Sequence, residues 1–252
     1  MPSPAGRRAE HAASFSRGAD VYAATRPDYP APAVAFAVDA APAGPVLDLG
    51  AGTGKLTAAL AATGREVVAV EPSDEMRAVL SAALPTVRAL SGTAESIPLP
   101  DASVAAVTVA QAWHWFDEGA AAAEIARVLA PGGRLTVLWN VRDESVPWVA
   151  AYSDVLRRAG SGPDQFTRHG APSLGPAFAP SEAFVLRWSR PFPVADLGTL
   201  AASRSYVLVL PDEERAAALA QVDALAATHP DLAGRAEVDF PYVTYAWRAA
   251  VR

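Results

Sequence analysis

Apolar runs and amphipathic stretches take turns along the middle of the chain. Residues 31–41 form an apolar stretch with helical spacing, closed by Pro42-Ala43-Gly44-Pro45. Val46-Leu47-Asp48-Leu49 then reads as a strand that runs into the alternating glycines Gly50, Gly52 and Gly54. Helical spacing resumes as far as Thr63, with Gly64 as a left-handed stop. Glu66 to Val70 is a second strand. Ser73, followed by Asp74 and Glu75, caps a helix to Leu84. Thr86 to Leu90 is a third strand, and Ser103 to Ala110 is β-branched and apolar enough for a buried central one. Glu118 to Leu129 carries Ile125, Val128 and Leu129 at helical spacing, Pro131-Gly132-Gly133 ends that helix, and Arg134 to Trp139 is a fifth strand. This order predicts an α/β fold: a doubly wound, Rossmann-like, mostly parallel sheet with helices on both faces.

The two ends of the chain read differently. Residues 1–30 are expected to be an N-terminal arm or flap, in which Pro27 and Pro30 push Arg26 and Tyr29 out of helical geometry. Residues 31–252 are expected to form a single domain whose part from about 141 onward supplies lid or acceptor-site elements. Within it, Pro147 to Arg158 reads as a helix, Gly160 to Pro180 as loop and Phe184 to Trp188 as a strand. Val194 to Ser203 and Asp212 to Ala227 read as helices. Glu237 to Trp247 resembles a closing strand in which Pro241 favours an edge or a bulge.

Composition narrows the partners. With 252 residues, 51% of them hydrophobic, the chain can bury a substantial core. A net charge of -6 and a pI near 5.2 argue against a nucleic-acid footprint, which needs a basic face, and favour a small-molecule partner. The absence of cysteine excludes disulfides, a thiolate nucleophile and cysteine-bound metals. The longest apolar run, Val104 to Trp113, is far short of the roughly 20 residues that span a bilayer. The first twenty residues hold Arg7, Arg8, Glu10 and His11 with no apolar block, so the expected compartment is the cytoplasm. Neither an oligomeric state nor metal-ligand spacing around His11, His169 or His229 can be read.

Three cofactor readings compete for the glycine turn. A phosphate-binding loop needs glycine five positions before Gly54 and Ser or Thr after Lys55; Leu49 and Leu56 stand there. A dinucleotide turn needs a third glycine where Lys55 stands, which weakens that reading. The third candidate, S-adenosylmethionine, brings no phosphate to neutralise, so a turn led by Asp48 suits it. Glu71, ending the second strand, sits where a carboxylate can accept hydrogen bonds from both ribose hydroxyls. An acid favoured near a helix N-terminus is the competing reading of Glu71.

Five motifs in order resemble the class I S-adenosylmethionine-dependent methyltransferases of the type 11 group. They are Val46 to Gly54, Val68-Ala69-Val70-Glu71-Pro72-Ser73 with Met76, Gly92 to Leu99, Ala110 to Phe116, and Leu129-Ala130-Pro131-Gly132-Gly133. Arg26-Pro27-Asp28-Tyr29-Pro30 also resembles the arm of the trans-aconitate-methyltransferase-like subgroup. The resemblance implies that Gly50, Ala51 and Gly52 bring backbone to the methionine part of S-adenosylmethionine and that Glu71 holds the ribose. Pro72 and Met76 would flank the adenine, with Thr93, Ala94 and Glu95 along its edge. Many relatives have aspartate where this chain has Thr93. Gln111 and Ala112 would lie near the methionine carbons, and Tyr22 and Arg26 would close over the cofactor.

A methyl on sulfonium is already electrophilic, so a base is needed only for an acceptor that must lose a proton. His114 is the candidate base, against the alternative that Trp113-His114-Trp115-Phe116 is a packed strand exit. Trp115 or Phe116 could line an acceptor pocket. The acceptor is expected near the arm, the residues after Gln111, and Leu197 to Tyr206. Arg142 and Arg204 are candidate anion partners there, although ordinary surface arginines are the preferred reading.

Overall fold

The computed structural model describes residues 26–161 and 171–252, and this part of the chain divides into two compact units. The first comprises Pro27–Asn140, Ala171–Leu186 and Thr244–Arg252. The described part of the second comprises Arg26, residues 141–161 and Arg187–Val243. In chain order the principal elements are α1 (Ala31–Val38), β1 (Val46–Leu49), α2 (Lys55–Ala61), β2 (Val67–Val70), α3 (Asp74–Ala83), β3 (Arg88–Leu90), β4 (Val104–Ala110), α4 (Glu118–Val128) and β5 (Leu129–Arg142). There follow α5 (Pro147–Leu156), β6 (Glu182–Pro193), α6 (Leu197–Ala202), α7 (Ser205–Leu208), α8 (Asp212–Thr228) and β7 (Glu237–Ala250). None of the described helices is long and apolar enough to cross a membrane.

The sheet has the strand order β3-β2-β1-β4-β5-β7-β6. Its first five strands are parallel, with Val46 beside both Val67 and Ala106. The order turns outward on both sides of β1 and β4, which is the switch point where an open α/β sheet leaves a crevice at the carboxyl ends of its strands. In the first unit β7 runs antiparallel to β5: Thr244 Oγ1 donates to Asn140 Oδ1 at 2.6 Å, while Val251 N donates to Gly133 O at 3.1 Å. The sheet is therefore mixed and mostly parallel.

One core of the first unit packs Ala33, Val34, Ala37 and Val38 of α1 and Leu56 and Leu60 of α2 on Val46, Val67, Ala106 and Leu138. Leu47, Leu49, Val107 and Val109 alternate onto the opposite face and are just as fully buried. Both faces of these strands are covered, which is why they read as continuous apolar runs. The second unit has its own core, in which Trp148, Tyr152 and Phe192 meet the ring of Phe240 edge-on at 5.0, 6.1 and 5.6 Å.

Two sequence expectations are corrected. Helix α4 stops at Val128, and Pro131-Gly132-Gly133 lies inside β5. There the register against β4 shifts between Val104/Leu129 and Ala106/Arg134, so the three residues are a bulge. Gly132 takes φ 77°, and a Cβ on Gly133 would stand 2.8 Å from Ala130 O. Strand β7 is interior, and the edge belongs to β6. Pro241 is tolerated because it faces Asp143, whose N–H donates to Pro241 O at 3.1 Å one residue beyond the end of β5. The N–H that proline lacks would have pointed where the neighbouring ladder has already stopped.

Candidate active site

The site of the first unit is built at the carboxyl ends of β1, β2 and β4. Leaving β1, the chain takes left-handed φ at Gly50 (69°), Gly52 (57°) and Gly54 (89°) before α2 begins. Only glycine adopts three such conformations in five residues without strain. Gly50 N and Ala51 N both donate to Val70 O, at 2.8 and 3.2 Å, which ties the turn to the end of β2. Gly50 is also close to the chain leaving β4, where an added Cβ would stand 2.8 Å from Ala112 Cβ and 3.4 Å from Phe116 Cζ.

Glu71 joins the turn directly. Its Oε2 accepts from Gly52 N at 2.8 Å and its Oε1 from Ser73 N at 3.0 Å. Each oxygen retains a second lone pair for a ligand hydroxyl. Burial pushes the carboxyl above its ordinary range, while these two N–H donors and the charge of Arg77 pull the other way. Ser73 caps α3 as expected, accepting from Met76 N at 3.3 Å. Met76 is buried, and its sulfur would lie 3.8 Å from a Cβ on Gly52, so Glu71 and Met76 both border the same glycine. Pro72 is exposed beside them.

The third motif group closes against the same end. Gly92 is pressed between Pro98 and Val70, a Cβ there meeting Pro98 Cδ at 2.6 Å and Val70 Cγ1 at 3.2 Å. Thr93 bridges to Ser96, Ala94 is buried, and Glu95 Oε1 accepts from Asp117 N at 2.9 Å. Asp117 in turn caps α4 by accepting from Ala120 N at 3.0 Å. Beyond β4, Gln111 adopts a left-handed φ of 56°, and its Nε2 donates to Asn140 O at 2.7 Å. His114 is half-buried in a single 3₁₀ turn, Trp113–Trp115, its ring 4.6 Å from that of Trp115.

Asp48 is placed differently from the glycines it precedes. It is 1% exposed and faces inward, where Thr57 Oγ1 donates to Oδ2 at 2.6 Å and Thr108 Oγ1 approaches Oδ1 at 3.4 Å. Desolvation pushes its pKa up to about 7, with the nearby Glu71 charge adding to the rise and the threonine hydrogen bonds opposing it. Sequence reasoning missed Thr57, Thr108 and the hub Asn140, whose Nδ2 also donates to Asp28 O at 3.1 Å. A polar residue inside the apolar run of β4 was the available signal for Thr108.

The structure thus brings together Asp48, the glycine turn, Glu71, Pro72, Met76, Thr93, Ala94, Glu95, Gln111, Ala112 and His114 in one unit. Tyr22 lies outside the described residues. Arg26 belongs to the second unit, where its Nη2 donates to Ser203 O at 3.3 Å. Lys55 pairs with Asp28 at 2.8 Å.

A methyltransferase-domain family model matches residues 47–137, the segment that contains this turn and the ends of β2 and β4. An uncharacterised methyltransferase of Mycobacterium tuberculosis is 45% identical over 245 residues, covering 97% of this chain and 98% of its own. The chain belongs to the methyltransferase family. An uncharacterised methyltransferase of Schizosaccharomyces pombe is 36% identical over 231 residues, with 90% and 92% of the two chains covered. A solved structure from Anaeromyxobacter dehalogenans, assigned as a type II methyltransferase, is 27% identical and superimposes with a TM-score of 0.70 over 90% of this chain and 97% of that one. The fold is that of class I methyltransferases, and the protein is an S-adenosylmethionine-dependent enzyme. The site of this methyltransferase fits that cofactor: a turn whose Gly50, Ala51 and Gly52 are half-buried, a carboxylate bonded to Gly52 N, and the buried Thr53 hydroxyl within the turn, which has no hydrogen-bond partner in the structure.

Proposed function

We propose that this methyltransferase methylates oxygen or nitrogen of a small-molecule acceptor, carboxylates included, in the cytoplasm and without nucleic acid. The bond from Gly52 N to Glu71 Oε2 at 2.8 Å supports the cofactor part of this reading, because it couples the turn to an acid, and the net charge of -6 supports a small-molecule acceptor over nucleic acid. Gly50, Ala51 and Gly52 would hold the methionine part, Glu71 the ribose, and Pro72 and Met76 the adenine. Thr93, Ala94 and Glu95 would line the adenine edge, with Gln111 and Ala112 at the methionine carbons. Asp48 would act from behind, fixing the turn through Thr57.

The bound cofactor supplies an electrophilic methyl group. What remains for the chain is to hold the acceptor in line and exclude water, and such positioning can lower a barrier by roughly 7 to 11 kcal/mol. His114 would take the proton of a hydroxyl or ammonium acceptor. Incubating the protein with labelled S-adenosylmethionine and a metabolite panel tests the reading. Label is expected in a small organic product; label only in nucleic acid or protein would overturn it.

Two substitutions test individual roles. Glu71→Ala is expected to weaken binding of S-adenosylhomocysteine by about 1.5 to 3 kcal/mol, as for loss of hydrogen bonds to a charged group. Calorimetry showing unchanged affinity would remove Glu71 from the ribose. His114→Ala should slow methylation of a hydroxyl acceptor by about 10²-fold or more and leave cofactor affinity intact. Equal turnover by the two proteins on such an acceptor would end its role as base.

A further inference from the structure

Helix α4 grips the loop between β3 and β4 through an arginine that no role assigned so far uses. Arg127, in the last turn of α4, has five guanidinium N–H donors, and each has an acceptor. Its Nε and Nη2 fork onto Glu124 Oε1 and Oε2, both at 2.8 Å. Nη1 donates to Leu99 O at 2.9 Å and to Asp101 Oδ1 at 2.7 Å, and Nη2 donates again, to Ile97 O at 2.9 Å. Glu124 Oε2 also accepts from Ile97 N at 3.0 Å. The hydrogen bonds from Arg127 hold the Glu124 carboxyl down to about 2, so the pair stays charged at neutral pH.

These bonds bracket Pro98. The N–H and C=O of Ile97 before it and the C=O of Leu99 after it are all fixed to α4. Pro98 in turn presses on Gly92, where a Cβ would stand 2.6 Å from Pro98 Cδ and 3.2 Å from Val70 Cγ1. Val70 is the residue whose carbonyl accepts from Gly50 N and Ala51 N, so the grip of α4 is passed through Pro98 and Gly92 to the anchor of the glycine turn. Between Gly92 and Ile97, Thr93 bridges to Ser96, and Glu95 Oε1 accepts from Asp117 N at the opposite end of α4. Residues 93–95 are therefore stapled to the helix from both sides.

We propose that Arg127, with Glu124, is a positioning residue for cofactor recognition, holding residues 93–95 rigid so that they distinguish adenine from other purines. The inference rests on the assignment of those residues to the adenine edge. All five donors of Arg127 are taken up by protein, so it acts through the loop. A purine edge is read by hydrogen bonds that weaken steeply with misalignment, so a loosened loop loses discrimination before it loses apolar contact with the ring. Lysine cannot substitute, because a point charge has no planar fork to reach a carboxylate and two carbonyls together.

Calorimetry on the full chain, with S-adenosylhomocysteine and S-inosylhomocysteine as probes, tests this. The two differ only at the purine edge, where hypoxanthine reverses the donor and acceptor of adenine. The parent should prefer the adenine compound by about tenfold or more. Arg127→Lys and Glu124→Gln should each reduce that preference about tenfold, by weakening S-adenosylhomocysteine and sparing the inosine compound. A merely structural role would weaken both ligands by the same factor, so an unchanged ratio in the variants would overturn the staple and leave the cofactor reading standing. Glu124→Gln keeps the side-chain shape and serves alone if Arg127→Lys does not fold. Equal binding of the two compounds by the parent would overturn the adenine-edge assignment and the staple with it, and binding of neither would overturn the cofactor reading itself.

Discussion

Gly50→Ala is expected to reduce S-adenosylhomocysteine affinity at least a hundredfold and to destabilise the fold. Two penalties combine at this position. At φ 69° an L-residue gives up roughly 1 to 2 kcal/mol relative to glycine. The new methyl would also stand 2.8 Å from Ala112 Cβ, and both carbons are fixed to backbone, so the turn and the chain leaving β4 must separate. Overpacking of this kind costs typically 1 to 3 kcal/mol. That separation falls where Gly50 N and Ala51 N bond to Val70 O, so the loss reaches the turn's attachment to β2 and the position of Glu71. Gly64→Ala is the control. Its φ of 79° imposes a similar backbone penalty, but nothing lies within 4 Å of the added carbon, so stability should fall by about 1 to 2 kcal/mol with cofactor affinity retained. Urea unfolding and calorimetry on both variants decide the matter, and a Gly50→Ala protein that binds within twofold of the parent would show that the turn is not held as described.

What could be read from the sequence was local. The alternation through β1, β2 and β4, the Ser73 cap and the left-handed Gly64 each depend on neighbours a few residues away, and each stands in the structure. Pro131-Gly132-Gly133 misled because the same residues end a helix or make a bulge, and the choice is set by register against β4, a pairing made across some thirty positions. Pro241 misled because tolerance of proline depends on where the neighbouring strand stops. The polar contacts escaped for the same reason. Asp48 was chosen from its place before the glycines, but the partners that define its chemistry are nine and sixty positions away. Arg142 is ordinary in sequence and is distinguished only by the burial that Ser153 and Tyr152 impose.

The buried state of Asp48 makes the second large prediction, a pH dependence of stability that one substitution removes. In the folded chain the carboxyl titrates near 7, and its ordinary value is 3.8. Between those values the folded state holds a proton that the unfolded state has released. Stability contributed by this group is therefore present below about 4 and is lost as pH rises through 7. The slope is up to about 1.4 kcal/mol per pH unit and the total is on the order of 4 kcal/mol. Glu71, raised as well, adds a change of the same sign. Asparagine in place of Asp48 matches the shape of the protonated acid and can keep hydrogen bonds to Thr57 and Thr108 while having nothing to ionise. Asp48→Asn should then equal the parent near pH 4 and exceed it progressively toward pH 8, the gap reaching several kcal/mol. Urea midpoints across that range give the comparison. If the two curves run parallel from pH 4 to 8, Asp48 is already ionised in the folded turn, and the threonine hydroxyls, rather than a retained proton, are what make its burial tolerable.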